Sequence, residues 1–410
     1  AGQRTTFGLY SPPFSQTVER DADLSGGNLL AYWNHTQSDR SDWTLKFYYD
    51  RTTRDEANFH EDRDTIDLDF QNRLRLLVRQ ELIWGLGYRL TRDDTRGVET
   101  VAFNPAQRTD NLYSAFLQYK MAFLSEERIV VTLGSKFEHN DYSGFELQPS
   151  GRILWKAAPN QAVWSAVTRA VRTPTRLEHD LELSGVLTAA PPTFGRIVGN
   201  DSFESEEVVA YELGYQAQPA HRLSFTATTF YNKYSNLSTL EMGTTSFTEP
   251  APPGPDRVII PFFFTNRMDG ATYGVELMSD WQATEWWRLN LTYSLLQIHL
   301  TAQAGFPTPT SNEEGIEGSS PHHQAGLSSL LDLPGHLELD GFFRYVDRLP
   351  APAQSIRRYY NLDLRVGWHP TRETEVALVG QNLLDNHHPE FSGGTEVERG
   401  VYAKVTVQWK

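Results

Sequence analysis

The 410-residue chain carries 37 Lys and Arg against 52 Asp and Glu, a formal net charge of -15, with a mean hydropathy of -0.49. No apolar run approaches the roughly twenty residues of a membrane-spanning helix, and a charge this acidic argues against a nucleic-acid partner, which needs a basic stripe. The absence of cysteine removes disulfide frameworks, thiolate metal sites and cysteine nucleophiles together.

What the chain has instead is alternation. Ile66, Leu68 and Phe70 stand against Asp67, Asp69 and Gln71, and the pattern returns in Tyr360, Leu362, Leu364, Val366, Trp368 and in Val401, Ala403, Val405, Val407, Trp409. A period of two puts one set on each face of a sheet. In chain order, strands are predicted to begin near Gln3, Gly27, Asp42, Asp64, Gln80, Asn111, Arg128, Glu146, Gln161, Glu206, Arg222, Gly270, Trp286, Pro321, His336, Arg358, Thr374 and Val401. The segment from Arg222 to Tyr234 is long enough for the roughly nine to eleven residues of a tilted transmembrane strand.

The connections alternate too. Short turns rich in Pro, Gly, Asn and Asp are expected at Gln37 to Ser41, Leu77 to Arg79, Ser125 to Glu127, Ala157 to Asn160, Ala217 to Ala220, Ala283 to Glu285, Asp332 to Gly335 and His369 to Arg372. The largest of the intervening connections are Pro174 to Ser205, Leu237 to Arg267 and Thr301 to Ser320. Short turns on one rim and long loops on the other mark an all-β, transmembrane, antiparallel up-and-down barrel of about eighteen strands. All ten tryptophans lie near the short-turn rim, where their amphipathic rings suit a lipid interface. Tyr142, Tyr231, Tyr234, Tyr345, Tyr359 and Tyr360 are expected to form the opposite girdle. The inward faces are read as carrying Lys46, Asp50, Asp67, Asp69, Arg73, Arg75, Glu212, Glu276, Asp280, Glu338, Asp340, Arg344, Asp363 and Arg365, around a lumen too wide for side chains to fill.

The segments Ala166-Val-Thr-Arg169-Ala-Val-Arg172-Thr-Pro174-Thr-Arg176, Gly199-Asn200-Asp-Ser-Phe-Glu204-Ser-Glu206 and Ala210-Tyr211-Glu212-Leu213-Gly214-Tyr215 resemble the mid-barrel pattern of TonB-dependent outer-membrane receptors. The resemblance continues through Thr229-Phe230-Tyr231-Asn232, Thr272-Tyr273-Gly274-Val275-Glu276, Ser320-Pro321-His322-His323-Gln324 and Gly380-Gln381-Asn382-Leu383-Leu384-Asp385, and it extends over most of the chain. It implies an N-terminal plug, a preceding segment that engages TonB, and about twenty-two strands. None of the plug pattern is present, so residues 1–410 are expected to be a partial receptor barrel lacking the plug and the first strands. The chain begins Ala1-Gly2-Gln3 without a basic-then-apolar stretch, so any signal peptide is expected to have been removed or to lie upstream, and it ends on Lys410 after Trp409, where the family usually ends on an aromatic residue.

The implied function is TonB-coupled uptake, across a Gram-negative outer membrane, of a scarce ligand such as a ferric siderophore or cobalamin; a passive porin-like channel is the alternative. The implied partners are the TonB complex, through the missing N-terminal segment, the small-molecule ligand and outer-membrane lipid. Arg172, Arg176, His179, Phe262 and Phe263 are the candidates to face ligand, and Glu212, Glu276, Asp340, Arg344 and Arg365 those to face the plug. Haem is not the expected ligand. His179 follows Arg172 and Pro174, as the family's haem receptors require, but Gly199-Asn200-Asp201-Ser202 replaces the downstream asparagine-proline motif. No resident cofactor or metal is expected: His322-His323 and His387-His388 are adjacent pairs that point to opposite faces of a strand. No enzyme is expected either, since no Gly-x-Ser-x-Gly motif is present.

Overall fold

The computed structural model describes residues 2–7, 16–251, 254–303, 313–351, 356–391 and 395–409. Its wall is one meander: Asp23–Ser38, Ser41–Asp55, Phe59–Leu77, Gln80–Gly97, Gln107–Phe123, Ile129–Asn140, Gly144–Ala158, Gln161–Arg172, Glu206–Ala220, Leu223–Met242, Arg257–Thr284, Trp287–Ala302, His323–Leu333, Leu337–Val346, Tyr359–Trp368, Thr374–Gln381 and Gly400–Val407. Each strand is antiparallel to the next. The order is that of a barrel, whose first and last strands meet at a seam. The whole of Asp23–Ser38 and most of Gly400–Val407 are exposed. The strand predicted near Gln3 is real but stands outside the wall: Gly2–Phe7 pairs with Gln16–Asp21.

The registers carry one alternation around the whole wall. On one face Phe47 partners Leu68, Leu68 partners Tyr88 and Tyr88 partners Tyr113; farther round, Leu291 partners Leu327, then Phe343 and Leu362. The other face matches Lys46 with Asp69 and Asp340 with Arg365. The apolar face suits hydrocarbon, and the charged face lines the lumen. A soluble core is correspondingly almost absent. Among the described residues, the one cluster of buried apolar residues is Phe194 and Ile259 with Val186 packed on it, where the hairpin Leu181–Ala189 and Pro192–Val198 meets the start of Arg257–Thr284.

Seven tryptophans in the strands share the apolar face close to the short turns: Trp33, Trp43, Trp84, Trp155, Trp281, Trp287 and Trp368. Trp33 and Trp43 meet edge to face at 4.7 Å, and Trp286, in its turn, stacks on Trp287 at 6.3 Å. Trp164 departs from the expected girdle. It partners Gly214 on the lumen face, where Arg152 lies 4.8 Å above its ring and any Cβ on Gly214 would collide with the indole. The tyrosine girdle needs a similar correction. Tyr231, Tyr345 and Tyr360 lie on the apolar face, but Tyr234 and Tyr359 stand an odd number of residues from Tyr231 and Tyr360 and so face inward. Tyr142 sits in a hairpin tip and joins a polar network described below.

The strands run past the expected loop boundary. Leu223–Met242 and Arg257–Thr284 stay paired up to Met242 and Phe262, so most of the segment from Leu237 to Arg267, expected as loop, is ladder. Register shifts between Tyr234 and Thr239, with Asn236 at φ 59°, break the period of two there. A reading by alternation therefore stops at the bulge while the hydrogen bonding continues.

Candidate functional site

The connection from Pro174 to Ser205 crowns the loop rim. Its first turn is set by local chemistry: Thr175 caps the helix Arg176–Asp180, its hydroxyl accepting from Leu177 N at 3.2 Å, while Glu178 Oε2 accepts from Thr175 N at 2.9 Å and Oγ1 at 2.6 Å. This is a capping box, which satisfies amides the helix leaves unpaired. Arg172 then closes the base of the loop, donating to Glu206 at 2.7 Å and Glu178 at 2.8 Å. Burial works against the Glu178 charge, but the Thr175 and Arg172 hydrogen bonds outweigh it and hold its carboxyl below the usual range. The Glu206 hydrogen bond raises the Arg172 guanidinium despite its partial burial.

Long-range contacts fuse this loop to two others. Arg176 is 7% exposed; it donates to Asp180 at 3.0 Å, to Asp93 and to the Pro105 carbonyl, and it lies 5.0 Å over the Phe103 ring. Arg108 donates to Asp180 at 2.7 Å and to Asp110 at 2.8 Å, and lies 4.5 Å over Tyr142, whose hydroxyl donates to Asp110 at 2.6 Å. Burial, then the Asp110 contact, pushes the Tyr142 hydroxyl strongly up. Burial likewise pushes the Asp93 carboxyl up against the pull of Arg176 and Arg63. His179 packs edge-on to Tyr142 at 5.2 Å, its Nδ1 3.2 Å from Asp201. The short strand Val101–Phe103 pairs with Leu181–Leu183 and completes the junction.

Past the helix, the hairpin Leu181–Ala189 and Pro192–Val198 lies parallel to the start of Arg257–Thr284, with Ile197 beside Phe262 and Val198 beside Phe263. An apolar cavity of about 400 Å³ opens there, lined by Leu183, Val186, Leu187, Ile197, Leu240 and Phe262 among others. Of the five residues expected to face ligand, the structure thus places Arg172, Arg176 and His179 in one hydrogen-bonded junction. It sets Phe262 and Phe263 against the adjacent hairpin. Sequence reasoning missed the partners Asp93, Arg108, Asp110 and Tyr142. The Thr175-x-x-Glu178 spacing was the one local signal of the turn that presents Arg176.

The lumen candidates are spread around the wall. Arg365 donates to Glu338 at 2.8 Å, Asp340 at 2.6 Å and Glu375 at 2.5 Å. Arg344 stands near the loop rim, donating to Glu390 at 2.5 Å and lying 5.4 Å over Tyr359. Glu276 and Arg344 border one shallow cavity in the wall, and Glu212 is set between Ala166 and Phe230, two strands from Glu276. His387 meets Glu396 at 2.8 Å, and His388 meets Glu390 at 3.2 Å.

Comparison with known proteins agrees with this architecture. The chain belongs to the TonB dependent receptor-like β-barrel family, whose pattern matches residues 2–383. The fold is similar to that of the ferric enterobactin receptor of Pseudomonas aeruginosa, with a TM-score of 0.74 at 14% identity over 95% of this chain and 62% of that one. The siderophore receptor PirA of the same organism gives 0.68 at 13% identity over 96% and 66%, and the FrpB iron transporter of Neisseria meningitidis 0.70 at 13% over 95% and 64%. The chain therefore spans about 62% of the length of the first of these structures. No curated protein matches the sequence.

Proposed function

We propose that this barrel is the membrane-spanning part of a receptor that takes up a scarce metal chelate across the outer membrane of a Gram-negative bacterium, driven by TonB. Membership of the receptor family over residues 2–383 carries the reading. The neighbours support iron-chelate transport as the class, since they are siderophore receptors and an iron transporter. On this reading the chain is a partial receptor, with a plug and a TonB-engaging segment encoded upstream of residue 1. Glu212, Glu276, Asp340, Arg344 and Arg365 face that plug, Arg172, Arg176, His179, Phe262 and Phe263 belong to the ligand-facing mouth, and the protein performs no covalent chemistry.

The test is uptake of radio-iron chelates by cells expressing the whole gene product, with and without TonB. TonB-dependent accumulation is expected. Equal, non-saturable entry of chelate and of unrelated small solutes in both strains would make the protein a passive channel instead.

A further inference from the structure

We infer that the mouth selects an uncharged or cationic chelate bearing an apolar portion, and disfavours a trianionic one. The inference rests on the uptake reading above and narrows its ligand class.

Recognition of a trianion needs guanidinium groups available to it. Here the arginines of the central barrel and its loops are already matched. From Arg169 to Arg267 each one sits within 3.2 Å of a carboxylate: Arg169 of Glu207, Arg172 of Glu206 and Glu178, Arg176 of Asp180, Arg196 and Arg257 of Glu249, Arg222 of Glu285, and Arg267 of Glu241. Two of these carboxylates, Glu178 and Glu249, are held below the usual range, the first against burial by Thr175 and Arg172, the second mainly by Arg196. Displacing them by a ligand anion would exchange one strong charge-assisted pair for another, with no net gain.

The surrounding charge points the same way. Segment 50–64 sets Arg51, Arg54 and Arg63 against Asp50, Asp55, Glu56, Glu61, Asp62 and Asp64, and segment 382–400 sets Arg399 against Asp385, Glu390, Glu396 and Glu398. Arg357 and Arg358, just ahead of the strand Tyr359–Trp368, are exposed exceptions, as are Arg92, Arg96 and Arg348 toward the same rim. Lower in the lumen, Arg365 is shared by three carboxylates. At separations near the Debye length of about 8–10 Å, such a field repels an approaching trianion and leaves a neutral chelate unaffected. The attractive element is the apolar cavity against Phe262, whose walls of Leu, Val and Ile complement hydrocarbon rather than anionic oxygen.

The experiment compares two ferric probes on outer membranes holding the whole gene product: an uncharged tris-hydroxamate bearing an acyl arm, and a trianionic tris-catecholate. The hydroxamate should bind at least about 10-fold more tightly, the scale of burying two or so methylenes. Phe262→Ala should erase most of the advantage of the acyl arm over the same chelate without it. Glu249→Gln removes one negative charge beside Arg196 and Arg257, and should raise catecholate binding about 2- to 8-fold at low salt, the range between screened and unscreened interaction across about 10 Å. Equal or tighter binding of the catecholate by the unaltered protein overturns the inference and leaves TonB-coupled uptake standing. Binding of neither probe overturns the inference as well, and TonB-independent leakage of both removes the uptake reading beneath it.

Discussion

Along the strand Tyr359–Trp368 each side chain has its role set by parity: Leu362, Leu364 and Val366 face outward, while Asp363 and Arg365 face the lumen. In the segment 173–205 parity decides little. Arg176 and His179 take their places from Asp93 and Arg108, at the ends of the strands that flank another connection, and from Tyr142 in a hairpin tip. The wall is a repetitive solution to one constraint, that every backbone group be paired where there is no water. The mouth is a specific solution, in which buried charges fix three loops relative to one another. Damage to the wall should therefore scale with depth and face, whereas damage to the mouth should depend on the individual partner removed.

The largest expected effect falls on the mouth. Arg176→Ala leaves Asp93 and Asp180, 4% exposed each, without their shared cation. Removing one member of a buried ion pair costs about 3–5 kcal/mol. The loss should appear as local opening, read by hydrogen exchange of amides in the segments 93–105 and 176–183, with the barrel ladders unchanged. Unaltered protection in those segments would show that the junction does not depend on the arginine.

Next comes the wall. Leu364→Arg places a charge on the outward face, where the cost near mid-membrane is about 2–4 kcal/mol. The adjacent Arg365→Gln change, on the lumen side, should cost much less because water reaches the carboxylates it uncovers. Refolding into bilayers followed by denaturant titration separates the two, and equal losses would contradict the register.

These two regions were also unequally legible. Alternation located the wall strands and the short turns, because a two-residue period needs no distant information. It failed at the bulge between Tyr234 and Thr239, where the phase slips, and it placed Trp164 in a girdle although its partner Gly214 shows that it faces the lumen. Family resemblance and position singled out Arg172, Arg176 and His179. Their partners lie as far as 83 residues away in sequence, at Asp93, and no local pattern encodes such a contact. The apolar cavity was only half visible, through Phe262, because its other wall is a hairpin inside what reads as a loop.

A third prediction uses the Glu178 carboxyl, whose depressed value in the folded protein means that its contribution is present above the ordinary value of 4.5 and is lost as pH falls below it. Protonation weakens the contacts to Thr175 and Arg172 together. Asp93 acts oppositely, since acid relieves a carboxyl that burial already pushes up, so the Glu178 effect must be isolated as the difference between the unaltered protein and Glu178→Gln. A spin label at Leu187, exposed on the hairpin, should be more mobile in the variant at neutral pH, and the difference should begin to shrink as pH falls below 4.5 and vanish only once the depressed folded-state carboxyl is protonated. A pH-independent difference would mean that the carboxylate charge is not what holds the turn.

The smallest effect isolates one half of that capping box. Thr175→Ala removes the hydroxyl that accepts from Leu177 and donates to Glu178, but it leaves the Thr175 amide and Arg172 bonded to the same carboxylate. Loss of such a cap costs about 1 kcal/mol, less than protonating Glu178, which weakens several contacts at once. The same spin label should therefore loosen less in Thr175→Ala than in Glu178→Gln. The two changes should also be strongly non-additive in the double variant, because both act through one carboxylate. Full additivity would place the two residues in separate roles and dissolve the capping box as the device that aims Arg176 into the junction.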